Sequence, residues 1–247
     1  MKSLIKHLDS FDPISLSEMD DVTLMNRADT KFVFSITTLL KVIHKLSYHY
    51  RVLEIKGVRL SAYQSLYFDT DDFQFYHQHH NGKTNRNKVR YREYIDSNLS
   101  FLEVKRKNNK GKTIKKRIQV QKINETLFGE HKAFVDEAIG EKLELFPRHW
   151  NRFQRVTFVH KRRKERLTID VNFRFQDIKD TKIKLGDMVI AEVKQEKKNL
   201  SSDFVRIIKE ERIHPFRISK YCMATANLFP NLKRNNFKRK ILHLNKL

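Results

Sequence analysis

The run KVRYREY at residues 88–94 alternates basic and apolar side chains. Successive side chains of a β-strand point to opposite faces of its sheet, so the run predicts a strand with one cationic face and one apolar face. Val89 and Tyr91 would lie on the apolar face. The cationic face would carry Lys88, Arg90 and Arg92, and Arg86 extends that row by one position.

Further runs repeat this alternation, and a similar pattern puts Arg27, Asp29 and Lys31 on one face. The charged positions of the other runs are Glu103 and Lys105, Lys115 and Arg117, Arg166 and Asp170, and Glu192 and Lys194. A solvated sheet face usually mixes both signs, because like charges on neighbouring strands repel. Rows that are mainly Lys and Arg therefore indicate an anion between them, although a plain solvated face explains the pattern equally well.

Turn residues separate these runs, and helical spacing lies between several of them. Strands are predicted over residues 63–68, 88–94, 100–105, 113–121, 152–160, 166–173 and 188–194. Helices are predicted over residues 36–46, 71–79, 123–145, 201–212 and 221–229. We therefore expect one α+β domain built on an antiparallel sheet.

The charge of the chain points to a polyanionic partner. Its 247 residues include 51 Lys and Arg against 29 Asp and Glu, which gives a formal charge of +22. Such a surplus predicts binding to nucleic acid, polyphosphate, nucleotide phosphates or an acidic membrane surface. The single cysteine, Cys222, excludes an intramolecular disulfide framework and a cysteine-based zinc site. Without a membrane-length apolar run or a recognisable secretory signal, we expect a cytoplasmic protein.

Ten short motifs follow one another between about residue 25 and residue 221. They are RxxxKF (27–32), LYFDT (66–70), HHNG (79–82), RxKVRxRxY (86–94), FLEVK (101–105), KxR (115–117), FxRxxF (153–158), RLTID (166–170), EVK (192–194) and SKY (219–221). The ordered set resembles the VTC (vacuolar transporter chaperone) domain of polyphosphate polymerases, in the triphosphate tunnel metalloenzyme (CYTH-like) superfamily.

The resemblance implies an eight-stranded antiparallel β-barrel with flanking helices, whose interior binds triphosphate, nucleotide phosphates or a growing polyphosphate chain. It divides the chain into an N-terminal arm or helix at residues 1–24, a tunnel domain at residues 25–230 and a basic tail at residues 231–247.

The resemblance also implies roles for individual residues. The expected catalytic phosphate ligands are Lys31, Arg90, Arg92, Lys105, Lys115, Arg155, Arg166 and Lys220. The expected substrate-binding residues are Arg27, Lys88, Arg117, Lys194 and Ser219. Glu192 matches the family's metal-binding carboxylate for Mn²⁺ or Mg²⁺, with Asp170 and Glu103 as weaker candidates to help it.

Two positions depart from related sequences. Many members of the superfamily begin with Glu-x-Glu-x-Lys, whereas this chain has Arg27-x-Asp29-x-Lys31. An arginine there exchanges a metal ligand for a phosphate ligand, which resembles the polymerase branch more than the triphosphatase branch. Phe153 stands where similar polymerases usually have tyrosine, so one hydroxyl that could bond a phosphate is absent.

The implied reaction transfers the terminal phosphoryl of ATP onto inorganic polyphosphate. The first alternative is an inorganic triphosphatase or nucleotide phosphohydrolase in the same tunnel, with water as the acceptor. The second is a non-catalytic module that binds polyphosphate or nucleic acid, and nucleic acid ranks last because no row of exposed aromatic residues for base stacking is evident. A membrane-protein partner, association with a membrane through it, and the oligomeric state are left open.

Overall fold

A computed structural model describes residues 2–20, 28–196 and 202–247. Its helices are α1 (Lys2–Leu8), α2 (Leu16–Asp20), α3 (Ile36–Leu46), α4 (Gln74–His80), α5 (Gly129–Ile139), α6 (Asp203–Glu210), α7 (Lys220–Leu228) and α8 (Lys238–Leu244). Its strands are β1 (Pro13–Ile14), β2 (Ala28–Ser35), β3 (Tyr50–Leu53), β4 (Ser61–Asp69), β5 (Arg86–Tyr94), β6 (Leu99–Lys107), β7 (Thr113–Val120), β8 (Phe146–His160), β9 (Glu165–Asp177), β10 (Lys182–Leu185) and β11 (Met188–Gln195).

The strands form one sheet whose main path runs in the order β2-β11-β9-β8-β4-β5-β6-β7. All neighbours along this path are antiparallel. β10 pairs with β9, and β3 pairs with both β8 and the short parallel strand β1. The long strands β9 and β8 are third and fourth along this path, and β8 joins its two halves by pairing with β4.

The outer face of the sheet is apolar and covered by helices. On the β2, β11, β9 and β8 half, the buried side chains pack against α1, α3 and α6, for example around Leu4, Leu39 and Phe204. On the β4, β5 and β6 half, Val89 and its neighbours pack against α5. Burial of this apolar face from water supplies the main driving force for the fold.

The inner face carries two kinds of surface. One part is apolar, where Phe153, Phe173 and Ile190 pack against Met223 of α7. Almost every side chain of α7 is buried, so this helix fills one end of the space that the curved sheet encloses. The cationic rows occupy the rest of the inner face.

The free edge of β2 is covered by the segment before α7. Phe32 makes an isolated antiparallel bridge with Pro215, and the backbone N–H of Phe216 donates to the carbonyl of Lys31 at 2.7 Å. This contact satisfies backbone groups that an open edge would leave unpaired. It also brings Ser219 and the start of α7 against the inner face.

The predicted α+β class and antiparallel sheet are confirmed, and the main path has the eight strands that the resemblance implies. In the described part of the chain, the hydrogen-bonded path ends at β2 and β7. Helix α3 has the predicted bounds. The helix predicted over residues 123–145 is only Gly129–Ile139, because Gly140 adopts a left-handed conformation (φ 80°) and ends it. The division at residues 24 and 230 stays a prediction.

No helix within the described residues is long and apolar enough to cross a lipid bilayer.

Candidate active site

A cavity of about 170 Å³ lies between the inner face of the sheet and the first turn of α7. Its charged lining consists of eight basic side chains and two carboxylates. They are Lys31, Lys88, Arg90, Arg92, Lys105, Arg155, Lys194, Lys220, Glu103 and Glu192. Because these residues come from strands at both ends of the sheet path, the sheet must curve around the cavity.

Strand register explains why these side chains meet. Residues directly opposite each other on antiparallel strands point to the same face. Arg90 of β5 is opposite Glu103 of β6, and Lys88 is opposite Lys105. On the other side of the cavity, Lys31 of β2 is opposite Glu192 of β11. The alternation seen in the sequence therefore becomes one continuous charged surface.

Glu103 is fully buried and neutralises two cations. Arg90 donates to its Oε2 through Nε at 2.9 Å and Nη2 at 2.6 Å, and Lys115 Nζ lies 2.5 Å from Oε1. Burial would raise the pKa of Glu103, but Arg90 and Arg92 outweigh this effect and hold the pKa well below its usual value. Arg90 also donates to the hydroxyl of Tyr67 at 2.8 Å.

Asp170 forms a second buried cluster. Arg155 donates to both of its oxygens, at 2.5 and 2.8 Å, and Lys220 Nζ donates to Oδ2. Although burial opposes ionisation, these cations lower the pKa of Asp170 to about 2. Lys220 sits at the start of α7, where Ser219 caps the helix by accepting from the N–H of Cys222. Burial lowers the pKa of Lys220 to about 8.

Glu192 differs from these two carboxylates because its ion pairs are longer. Lys31 Nζ lies 3.3 Å from its Oε1, and Lys194 Nζ lies 3.2 Å from its Oε2. Burial would raise the pKa of Glu192, but Lys194 and Lys31 hold it well below its usual value. The carboxylate is therefore ionised and faces the cavity without an arginine fork on it.

Three cations of the cavity wall lack such compensation. Within the described ranges, no carboxylate is paired with Lys88, Arg92 or Lys105. Arg92 is only 9% exposed, and its Nε donates a long hydrogen bond to Ser65 Oγ at 3.5 Å. Burial lowers the pKa of Lys88 to about 8, and the charge of Arg90, together with burial, lowers that of Lys105 well below its usual value. Buried charges without partners are unfavourable, so this wall is complementary to an anion.

Three other predicted residues lie on β7 and β9, outside the cavity lining. Lys115 and Arg117 are on β7, where Lys115 reaches the cavity wall through Glu103 and Arg117 lies over the ring of Phe101. Arg166 is opposite Lys194 in the pairing of β9 with β11. Arg27 lies outside the described residues.

Tyr67 and Tyr221 also line the cavity, and the sequence interpretation did not assign them a role. Both belong to motifs that carry the resemblance, LYFDT and SKY. Membership of these motifs is the sequence feature that could have identified them as site residues. Their rings lie 5.2 Å apart, and His149 packs against both of them. Together they form an uncharged part of the cavity wall.

The carboxylates differ in their fitness for a divalent cation. Mg²⁺ and Mn²⁺ are commonly held by one or two protein carboxylates together with substrate phosphate oxygens. Glu192 fits this mode because its oxygens face the cavity and have only long ion pairs. Asp170 and Glu103 already accept short bonds from arginine and lysine, so they offer less to a metal.

A separate group, His49, His160 and Asp203, has its ligand atoms within 4.8 Å of one another. It lies away from the cavity lining. His160 Nδ1 accepts the backbone N–H groups of Arg162 and Arg163, so its proton is on Nε2 and is donated to Asp203 at 2.9 Å. A ring nitrogen that carries its proton has no lone pair for a metal, so this group stabilises the β8–β9 turn.

The fold resembles solved structures of low sequence identity. A Hippeastrum protein, described as a candidate adenylyl cyclase with a dominant triphosphatase activity, is 14% identical with a TM-score of 0.53, over 82% of this chain and 96% of that chain. A candidate adenylate cyclase from Bacillus halodurans is 14% identical with a TM-score of 0.50, over 83% of this chain and 99% of that chain. At this identity the likeness shows the fold alone. No curated protein gives a significant match to the chain.

The VTC domain family matches residues 26–229, which include every motif from Lys31 to Tyr221 and all the charged residues of the cavity. The predicted family is therefore confirmed by a match over most of the chain. With this match over most of its length, the protein belongs to the VTC domain family.

Proposed function

We propose that this protein is a metal-dependent polyphosphate polymerase, which transfers the terminal phosphoryl of ATP to an inorganic polyphosphate chain. The observation that carries the proposal is the uncompensated wall formed by Lys88, Arg92 and Lys105. Arginine forks bind phosphate oxygens in pairs, and lysine ammonium groups add adjustable point charges. A chain of phosphates would supply the negative charge that the described residues do not.

The chemistry needs positioning and charge neutralisation more than it needs a general base. The acceptor is an oxyanion at the end of the polyphosphate chain, which attacks the γ-phosphorus of ATP. The bond from that phosphorus to the β,γ-bridging oxygen breaks, and ADP leaves with the bond's electron pair. The transition state spreads charge over the equatorial oxygens, where Arg92, Lys105 and Lys220 can stabilise it.

Glu192 is the residue we assign to the divalent cation. Bound there, Mn²⁺ or Mg²⁺ would neutralise part of the charge that develops on the phosphate oxygens. The chain's own part is to present an ionised carboxylate inside a cationic cavity, held between Lys31 and Lys194. A site that only binds anions gains nothing from a carboxylate at that position.

A triphosphatase is the second candidate. The cavity of about 170 Å³ is small, and the Hippeastrum protein of the same fold has a dominant triphosphatase activity. In that case water takes the place of the chain end as the acceptor. The two reactions would use the same cationic wall and the same carboxylate, so they differ in the acceptor and therefore in the products.

The deciding experiment follows ADP, free phosphate and polyphosphate together after incubation with ATP and Mn²⁺. A polymerase yields ADP and polymer with little free phosphate, whereas a triphosphatase yields free phosphate without polymer. Glu192→Gln should abolish turnover but retain phosphate binding. Glu196→Gln is the matched control, since Glu196 is exposed and its ion-pair partner among the described residues is Lys164. Full activity of Glu192→Gln would contradict the role assigned to this residue.

A further inference from the structure

A row of polar side chains crosses the outer face of the sheet between the parts that α1, α3 and α6 and that α5 cover. Directly opposite residues on neighbouring strands share a face. The row begins with Lys184 of β10, which is opposite Arg174 of β9, and Arg174 is opposite Arg152 of β8. It continues through Gln64 of β4 to Glu93 of β5. We call it the outer strip, and its β10 end is cationic.

The described parts of the chain leave this cationic end without a matching negative charge. Arg174 and Lys184 are exposed, and no carboxylate of the described residues forms an ion pair with either of them. Arg152 donates to the neutral amide oxygens of Gln64 and Gln176, at 3.3 and 2.5 Å. The carboxylate at the far end of the strip, Glu93, accepts from Gln64.

Protection of a sheet edge does not explain the whole row. Lysines on an exposed edge strand commonly prevent unwanted pairing, which accounts for Lys184. It does not account for Arg174, because β9 is paired there on both sides, with β8 and with β10. Like charges in directly opposite positions destabilise a sheet, and Arg174 has one on each side. Negative charge from outside the chain would offset this repulsion.

Strand β10 offers a backbone edge beside these cations. Its four residues pair with β9, and in the described ranges no strand and no backbone hydrogen bond occupies its other edge. Ile183 and Leu185 lie on the opposite face from Lys184 and are half-buried against the cluster that contains Phe173. A strand added to this edge would therefore meet cations on one face and apolar side chains on the other.

We propose that the edge of β10 binds an extended segment of a partner protein in which acidic and apolar residues alternate. The segment would add a strand to the sheet, a mode in which main-chain hydrogen bonds give affinity and alternate side chains give specificity. Its carboxylates would lie beside Lys182 and Lys184, and its apolar side chains beside Ile183 and Leu185. None of these four residues lines the cavity, so this binding does not depend on the proposed function.

Two other occupants suit these features less well. A second copy of the chain, joined edge to edge through β10, would bring the lysines of both copies together, and like charges repel. Single-stranded nucleic acid could use the cations, but it leaves the backbone edge and the apolar face unused, and its bases need free aromatic faces. The guanidinium of Arg152 lies 5.4 Å from the ring centroid of Trp150 and occupies one face of that ring.

The test measures the fluorescence anisotropy of a short labelled peptide of alternating glutamate and valine. Saturating triphosphate, without divalent cations, fills the cavity so that the peptide cannot bind there. A peptide of the same composition, with its glutamates and valines in two separate blocks, controls for net charge. A third peptide has the alternating sequence but carries methyl groups on its backbone nitrogens, which removes the N–H donors that strand addition needs.

The strip variant is Arg174→Gln with Lys184→Gln, which removes one arginine and one lysine from exposed positions. The matched control is Arg162→Gln with Lys164→Gln. These two exposed residues lie in the turn between β8 and β9, at the other end of the two strands. The control therefore makes the same charge change away from the strip.

We expect the alternating peptide to bind the wild type about ten-fold or more tightly than the block peptide or the methylated peptide. The strip variant should bind it about three- to ten-fold more weakly, as the loss of two exposed ion pairs implies, and the control should bind it unchanged. Equal binding of the alternating and block peptides, unchanged affinity of the strip variant, or no binding by the wild type would overturn the proposal. So would displacement of the peptide by oligothymidylate that itself depends on Arg174 and Lys184, which would assign the strip to nucleic acid.

Discussion

The phenol of Tyr221 donates a hydrogen bond to the buried carboxylate of Asp69, 152 positions earlier in the chain. Asp69 ends strand β4 and also accepts the backbone N–H groups of Thr70, Phe75 and Tyr76. One carboxylate thus fixes the start of α4 and the first turn of α7. Because Lys220 precedes Tyr221, this contact sets where the lysine enters the cavity.

Replacement of Tyr221 by phenylalanine should therefore lower both stability and activity. The ring keeps its packing against His149 and Tyr67, but a buried charged acceptor loses one partner, which costs about 2 kcal/mol of unfolding free energy. We expect kcat to fall more than KM rises, because Lys220 loses its fixed position. Urea denaturation and steady-state kinetics measure the two effects. Tyr76→Phe is the control, since its hydroxyl donates only to the carbonyl of Lys233, at 3.0 Å. An equal loss of kcat in both variants would contradict a positioning role for Tyr221.

Glu103 and Glu192 should respond differently to the same substitution. Glu103→Gln leaves Arg90 buried without its partner, and breaking such a pair costs about 3 kcal/mol or more of unfolding free energy. Glu192→Gln removes two longer ion pairs of a slightly exposed carboxylate, so we expect a smaller loss than in Glu103→Gln. The thermal stability and the turnover rate of both variants distinguish a carboxylate that stabilises the fold from one that is needed for the reaction. Loss of folding in Glu192→Gln alone would reverse these assignments.

The cationic rows could be predicted because alternation along a strand is local. Lys88, Arg90 and Arg92 needed no knowledge of the partner strand to share a face. Their ion pairs could not be predicted in this way, since the pairing of Arg90 with Glu103 depends on the register between β5 and β6. Register follows from turn geometry and from the buried face, which no single run of sequence contains.

The same distinction explains what was missed in the fold. Helix α3 has a strong amphipathic pattern and a serine N-cap, so its first and last residues could be predicted from the sequence. The strands β3 and β10 have only four residues each and exist because they pair with long neighbours. Phe216 gave no local signal either, because its bond to Lys31 joins segments far apart in sequence.

Arg92 illustrates a conflict between stability and binding. Its guanidinium is buried and forms no ion pair with a carboxylate of the described residues, and burial together with Arg90 lowers its pKa. Arg92→Met should therefore raise the unfolding free energy of the free protein by about 1 kcal/mol, as replacement of unfavourable buried charge by apolar groups commonly does. At a triphosphate concentration of 100 times Kd, ligand binding stabilises a protein by about 2.7 kcal/mol, and this stabilisation should disappear in the variant.

Denaturation with and without triphosphate tests this prediction, and Arg90→Met provides the contrast. Arg90 is paired with Glu103, so its loss should destabilise the free protein. If Arg92→Met destabilised the fold by several kcal/mol, Arg92 would be a structural residue and the cationic wall would need another explanation.

The lysines of the cavity predict how binding depends on pH. Burial holds the pKa of Lys88 and of Lys220 at about 8, below the ordinary value of 10.5. A bound polyanion favours the charged ammonium form and raises both values, so binding must take up protons near pH 8. The affinity for long-chain polyphosphate should be constant well below pH 8 and fall above it, by up to about ten-fold per pH unit for each lysine. The internal phosphates of such a chain stay ionised throughout this range, so the dependence belongs to the protein.

Calorimetry in buffers of different ionisation enthalpy counts the protons taken up, and Lys88→Met should lower that number. Lys116→Met is the control, because Lys116 lies on β7 in an exposed pair with Glu137. An affinity that stays flat between pH 7 and pH 10 would mean that neither lysine contacts the polyanion.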